Sequence, residues 1–214
     1  ELGDVEGALR GEALRLSRLR EETARNISSK VEARLAYLQM PDARFVVSIG
    51  RREDPEGIEV DGRKVRLGAS GIDQVEFLFS ANRGEEPRPL AKIASGGELS
   101  RVMLAIKAAL AEAERTPTLI FDEVDAGVGG ETARRVGETL AELARGRQVL
   151  VVTHLAQIAA KADRHFVVEK RVEGGRTTVR VRQVEGEDRV RELARMLDGT
   201  ATEASFEHAR ELLE

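Results

Sequence analysis

Two short segments carry residue types that handle phosphate and water. Ser95-Gly96-Gly97-Glu98 stands directly before a stretch with helical spacing. The free amides and partial positive charge of a helix N-terminus attract anions, glycines let a phosphate approach the backbone, and Ser95 adds a hydroxyl. The same residues satisfy S-x-x-E, a plain capping box, although capping does not require two glycines that weaken a helix. Further on, Thr118–Phe121 is an apolar strand that ends in Asp122-Glu123. Ligands of open α/β sheets lie beyond the carboxyl ends of strands. Asp122 is therefore placed to hold Mg2+ through water, and Glu123 to orient or deprotonate an attacking water. The plainer alternative is that the pair caps or solvates the following turn.

Asp125 follows in a glycine-rich turn, Val124–Gly130. It either faces a partner subunit or a water network, or caps the next helix. His154 closes a second apolar strand, Gln148–Thr153, and would share a sheet edge with Asp122 and Glu123. There it could hydrogen-bond a γ-phosphate; a lone histidine is otherwise structural. His165 and His208 have no such context. The loop GxxxxGK[ST], which grips a nucleotide's own phosphates, does not occur in these 214 residues. The chain alone is accordingly expected to bind ATP weakly and to hydrolyse it negligibly.

The elements that must position these residues follow from periodicity. Residues 1–38 carry apolar side chains at Leu2, Val5, Leu9, Leu16, Leu19, Ile27, Val31, Leu35 and Leu38, largely in three- and four-residue steps. That is one helix face, either an ordinary amphipathic helix or the stump of a coiled-coil arm. Pro41-Asp42 ends it. Arg44–Gly50 and Asp73–Ser80 read as strands around a hairpin or surface excursion at Arg51–Gly71, and Ala81–Pro89 as a polar loop. Ser95 opens a helix with an inward stripe of Leu99, Val102, Met103, Ile106, Leu110 and Ala113. Another begins near Glu131. Gln148–Thr153 is continuously apolar in its middle, which predicts a strand covered on both faces in a parallel sheet. His154–Lys161 reads as a short helix. Arg164–Lys170 and Thr177–Val184 pair across Glu173-Gly174-Gly175. Helices over Asp188–Leu197 and Glu203–Leu213 close an α/β chain.

Composition excludes several classes. There is no cysteine, hence no disulfide framework and no thiolate metal site, and the histidines lack metal-ligand spacing. No apolar run approaches the ~18 residues of a membrane span. The net charge of −4 argues against a globally basic nucleic-acid binder, and aromatics at 3% against a base-stacking platform. A cytoplasmic protein is the simplest expectation. The chain starts on Glu rather than Met, as a fragment or processed piece would.

Ala94–Glu98 (ASGGE) resembles the LSGGQ signature of ABC-type ATPases, with Ala94 for Leu and Glu98 for Gln; the Ala94 replacement is given no function. Thr118–Glu123 (TLIFDE) resembles Walker B, Asp125 lies in what resembles the D-loop, and His154 resembles the switch histidine. Val75–Lys107 and Gln148–Ala160 are similar, more specifically, to the RecN family of bacterial SMC-like DNA repair ATPases. The resemblance runs from about Ile27 to the end.

It implies an α/β fold: the C-terminal lobe of an ABC/SMC-type P-loop ATPase head, a mainly parallel sheet flanked by helices, with an N-terminal coiled-coil helix. Residues 1–40 would be the returning arm stub and 41–214 the C-terminal half of the head. The cofactors implied are ATP and Mg2+, shared with an N-terminal half bearing Walker A. Ser95, Gly96, Gly97 and Glu98 would contact a γ-phosphate in trans. Asp122 would serve Mg2+, Glu123 the water, His154 the γ-phosphate and Asp125 communication between heads. The implied partners are the N-terminal head half, a second head in an ATP-sandwiched homodimer, and DNA at an unnamed surface, with no membrane. The implied activity is ATP hydrolysis coupled to DNA holding or bridging in double-strand-break repair, at the nucleoid. Two other classes fit the motifs: a half-head of another SMC-like or ABC-type machine, and a nucleotide-dependent scaffold without turnover.

Overall fold

The computed structural model describes the chain apart from Glu1, Ala94, Gly174, Gly175, Thr200 and Ala201. The Ala94 replacement and the Gly174-Gly175 turn therefore lie outside the described residues. Residues 1–94 and 95–214 form two compact units.

In the first unit, α1 (Leu2–Tyr37) is followed by β1 (Arg44–Arg51), β2 (Glu53–Val60), β3 (Arg63–Val65), β4 (Asp73–Ser80) and β5 (Arg88–Pro89). The helix stops at Tyr37, ahead of Pro41, and Gln39 turns the chain with a φ of 63°. Its two halves differ. Val31 and Leu35 are buried, as is Leu38 just beyond, whereas Val5, Leu9, Leu16 and Leu19 remain exposed. The C-terminal half also closes the free edge of β1. Phe45 N donates to Glu32 Oε1 at 3.2 Å and Val47 N donates to Ser28 Oγ at 3.2 Å. Unpaired strand amides invite foreign strands, and these side chains occupy them.

Farther up the helix, the β2–β3 hairpin buries Val60 and Val65 with Ala13 and Ile72. Beside that cluster the Asp73 carboxylate, fully inaccessible, accepts from Ser17 Oγ at 2.7 Å and pairs with Arg20 Nη1 at 3.0 Å. Arg51 reaches the same group, donating to Ser17 Oγ at 3.3 Å. One buried acid thus joins helix, β1 and β4.

The second unit contains α2 (Gly96–Ala109), β6 (Thr118–Phe121), α3 (Gly130–Ala144), β7 (Gln148–Val151), α4 (Ala156–Ala159), β8 (His165–Glu173), β9 (Arg176–Val184), α5 (Gly186–Asp198) and α6 (Glu203–Leu213). β6 and β7 run parallel with Phe121 opposite Val151, as a helical crossover through α3 requires. α2 and α3 pack together, burying Val102, Leu104, Ala105 and Ile106 with Ala133, Val136, Leu140 and Leu143. A second core joins Ala156, Ala159, Ala160, Val190, Leu193, Ala194 and Ala209 under α5 and α6. Gly199, at a φ of 75°, ends α5 in the left-handed cap that glycine favours.

Three expectations need correction. The mainly parallel sheet is not found: among the described residues only β6–β7 is parallel, and β1–β4, β4–β5, β2–β3 and β8–β9 are antiparallel. The antiparallel pairs lack an intervening crossover helix, and β6–β7 has one. The strand at Gln148 is not covered on both faces. Ile120 is 71% exposed, and Leu150 and Val152 are open beside it, because helices cover only the other side. The buried stripe of α2 lies on Val102, Leu104, Ala105, Ile106 and Ala108; Leu99, Met103 and Leu110 are half-buried, and Ala113 is exposed beyond the helix.

Candidate functional site

Ser95 is the N-cap of α2, extended in backbone, with Oγ accepting from Glu98 N at 3.4 Å. The capping reading of S-x-x-E therefore holds for the Ser95 half. The two glycines have separate reasons, neither of them capping. A Cβ on Gly96 would run into the Glu123 carboxylate, a flexible obstacle. A Cβ on Gly97 would sit 2.8 Å from Ala126 Cβ and 2.9 Å from Ala126 O. Gly97 is buried there, so α2 approaches the acidic turn more closely than a side chain allows. Glu98 stands in the first turn, half-buried.

Asp122 and Glu123 leave the carboxyl end of β6 exposed to solvent. Asp122 Oδ1 accepts from Glu123 N at 2.9 Å. Glu123 adopts a φ of 56°, a left-handed conformation that costs a residue with a Cβ about 1 kcal/mol or more. The chain turns there, and Ala126 N donates to Glu123 O at 3.1 Å to close it. Two side chains of α2 hold the turn from outside. Ser100 Oγ donates to Asp122 O at 2.9 Å, and Arg101 Nη1 donates to Ala126 O at 2.8 Å. Burial pushes the Arg101 guanidinium below its ordinary value, and Glu98 nearby counters part of that.

Asp125 is buried and faces neither solvent nor the start of α3. Its Oδ2 accepts from Thr153 Oγ1 at 2.6 Å and from His154 N at 2.9 Å, and lies 2.9 Å from His154 Nδ1. Thr153 Oγ1 in turn accepts from Leu155 N at 3.0 Å. A carboxylate only accepts, so Nδ1 carries the proton and Nε2 is left for another partner. The imidazole is otherwise open, at 74% exposed.

Thus one edge holds Asp122, Glu123, Asp125 and His154, with Ser95–Glu98 on the helix that grips the turn. Sequence reasoning missed Ser100, Arg101, Ala126 and Thr153. The hydroxyl directly before His154 was a usable signal; the contacts of α2 had none.

Mg2+ fits this edge in a limited way. Asp122 spends one oxygen on Glu123 N and keeps the other open. Among the described residues no group of three acidic or histidine side chains could hold a metal. A lone carboxylate suits a Mg2+ that keeps its waters and takes other ligands from phosphate.

A family model described as RecF/RecN/SMC N terminal domain matches residues 11–177. The chain belongs to that family. Among its relatives, the DNA repair protein RecN of Streptomyces coelicolor is 52% identical over 207 residues, spanning 96% of this chain and 36% of that protein. The DNA repair protein RecN of Deinococcus radiodurans is 49% identical across 95% of this chain and 33% of its own length. That of Bacillus subtilis is 40% identical across all of this chain and 38% of its own. The chain therefore spans about a third of the curated relatives it matches. An Smc head domain with a coiled coil and joint from Pyrococcus yayanosii aligns at a TM-score of 0.55 and 23% identity, covering 85% of this chain and 30% of that one. That likeness concerns the fold alone. Among the described residues no helix is long and apolar enough to cross a membrane.

Proposed function

We propose that this chain is the part of an SMC-like ATPase head that carries the signature turn and the water-activating acid, acting in DNA double-strand-break repair. The observation that carries the reading is the shared sheet edge. Asp122-Glu123 follow Phe121 of β6, and Thr153-His154 follow the strand paired with it in parallel, where Phe121 lies opposite Val151. Acid pair and histidine thus leave neighbouring strands at the same edge, where α/β sheets bind ligands. Family membership and the RecN relatives support the same reading.

Bound Mg2+–ATP would supply the reactive γ-phosphoryl group and the charge that the metal neutralises. The rest falls to this chain. Asp122 would hold the metal's water shell through its open oxygen. Glu123 orients and deprotonates the attacking water. His154 offers Nε2 toward the terminal phosphate. Ser95–Glu98 presents the N-terminus of α2 to the nucleotide of a second head, so ATP joins heads and hydrolysis releases them. The N-terminal half that bears the phosphate loop would cover Ile120, Leu150 and Val152, whose exposure calls for an apolar partner. Residues 1–40 would be the root of a coiled-coil arm, its open stripe of Val5, Leu9, Leu16 and Leu19 seated on the outgoing strand. DNA would be held or bridged through the ATP cycle.

Glu123→Gln in the full-length protein tests the assignment. ATP binding and ATP-dependent pairing should persist while turnover falls by about a hundredfold or more. Ser95→Arg should bind ATP but fail to pair. Wild-type hydrolysis by Glu123→Gln would refute the role of the acid, and pairing by Ser95→Arg would refute the contact in trans.

A further inference from the structure

We propose that Ser100 and Arg101 are positioning residues, which hold the Asp122–Ala126 turn in its working shape and couple it to the helix opened by the signature turn. This deepens the ATPase reading above and rests on it. The two side chains are adjacent on α2 and seize opposite ends of one turn. Ser100 Oγ takes the carbonyl of Asp122 and Arg101 Nη1 the carbonyl of Ala126, at 2.9 and 2.8 Å. Glu123, Val124 and Asp125 lie between these anchors. Two of the three acids on the reaction edge, Glu123 at the water and Asp125 behind His154, are therefore carried on a segment suspended from α2, and the third, Asp122, is itself an anchor.

Three further observations favour a positioning role over packing. The turn stores backbone strain at Glu123, whose φ of 56° persists only where surrounding contacts impose it. The approach that brings the anchors into range depends on Gly97, since a Cβ there would strike Ala126 backbone and side chain. Arg101 is also a costly choice for filling space. Its guanidinium is partly desolvated to donate to a neutral carbonyl, where an apolar side chain would pack without that penalty. The same helix is capped by Ser95, whose carbonyl accepts from Leu99 N at 3.0 Å. A shift of the first turn on meeting a phosphate is thus passed through one rigid helical segment to the acid of the same head. Each head would report the occupancy of its neighbour's site to its own.

The test uses the full-length protein with Ser100→Ala, Arg101→Met and Arg101→Lys, and Glu123→Gln as reference. Steady-state ATP hydrolysis, ATP affinity, ATP-dependent pairing and thermal midpoint without nucleotide are measured. Arg101→Met keeps the stem and removes the donor; Ser100→Ala removes one hydroxyl and guards against a folding failure in the other. A displacement of about 1 Å at a reacting group costs on the order of a hundredfold in rate. Expected are kcat losses of about ten- to a hundredfold in Ser100→Ala and Arg101→Met, with KM and ATP affinity within about twofold, pairing intact and midpoints near wild type. Arg101→Lys should recover part of the rate. Wild-type kcat in Ser100→Ala and Arg101→Met overturns the proposal, as does a kcat loss matched by equal loss of pairing or folding. If Glu123→Gln still turns over, the ATPase assignment fails instead; if only that variant is dead, the assignment stands and the coupling does not.

Discussion

The Asp125 carboxylate meets His154 Nδ1 at 2.9 Å through Oδ2, the same oxygen that accepts the Thr153 hydroxyl at 2.6 Å and the His154 amide at 2.9 Å. Three donors thus converge on one buried oxygen. The imidazole is fixed in rotation and in tautomer by its own chain, before any second molecule arrives.

Asp125→Ala should disturb both. It removes the one oxygen on which Thr153 Oγ1, His154 N and His154 Nδ1 converge, so all three donors lose their acceptor. In the full-length protein kcat should drop about tenfold or more with little change in ATP affinity, as expected when a reacting group loses orientation. Nitrogen chemical shifts of the His154 ring would show a rise of the Nε2–H tautomer. Unchanged tautomer populations would mean that Asp125 does not set the ring's state.

Gly97 and Gly96 should separate by stability. Gly97→Ala drives a methyl against Ala126 Cβ and O, and overpacking of this kind costs about 1–3 kcal/mol. Gly96→Ala meets only the end of the Glu123 side chain, which can swing away. Thermal melts should therefore show a lower midpoint for Gly97→Ala than for Gly96→Ala. Equal midpoints would remove close packing as the reason for Gly97.

His165 gives the second unit a pH dependence. It is buried, its Nδ1 has no hydrogen-bond partner among the described residues, and burial, then Arg189, hold its pKa below 6.5, with Glu192 opposing. The unfolded chain then takes up a proton at higher pH than the folded one. The contribution of neutral His165 is full above pH 6.5 and is lost as pH falls from there through the lowered folded value. Urea midpoints taken across that window for wild type and His165→Gln should converge at low pH. Parallel curves would show that His165 does not titrate on unfolding.

Asp73→Ala should weaken the first unit by about 2 kcal/mol, since Arg20 and Ser17 lose a buried acceptor while Arg20 keeps some access to water. A double-mutant cycle with Arg20→Met measures the shared part. Strict additivity would show that the pair contributes nothing.

Local patterns explain what could be read in advance. Ser95 as a helix opener, the apolar run into Asp122-Glu123, and the β8–β9 pairing each depend on neighbours within a few residues. The ends of α5 and α6 were legible for the same reason. What escaped depends on distant partners. Asp125 read as facing a partner subunit or a water network, or as a cap; its hydrogen bonds with Thr153 and His154 join residues 28 and 29 positions away and left no local signal. Gly96 and Gly97 read as room for a phosphate; that a Cβ on them would also meet Glu123 and Ala126 depends on residues far along the chain. The run at Gln148–Thr153 announced two covering layers, and its composition could not say that one of them is absent from these residues.

The long helix carries a mechanical consequence. At 36 residues it extends about 54 Å. It is riveted at two levels, by Glu32 and Ser28 at one strand and by Asp73 higher up. Two fixed points along a rod remove its freedom to pivot. A sideways pull near Val5 is then delivered to the sheet as torque, with Asp73 as the fulcrum, instead of being absorbed in a loose joint.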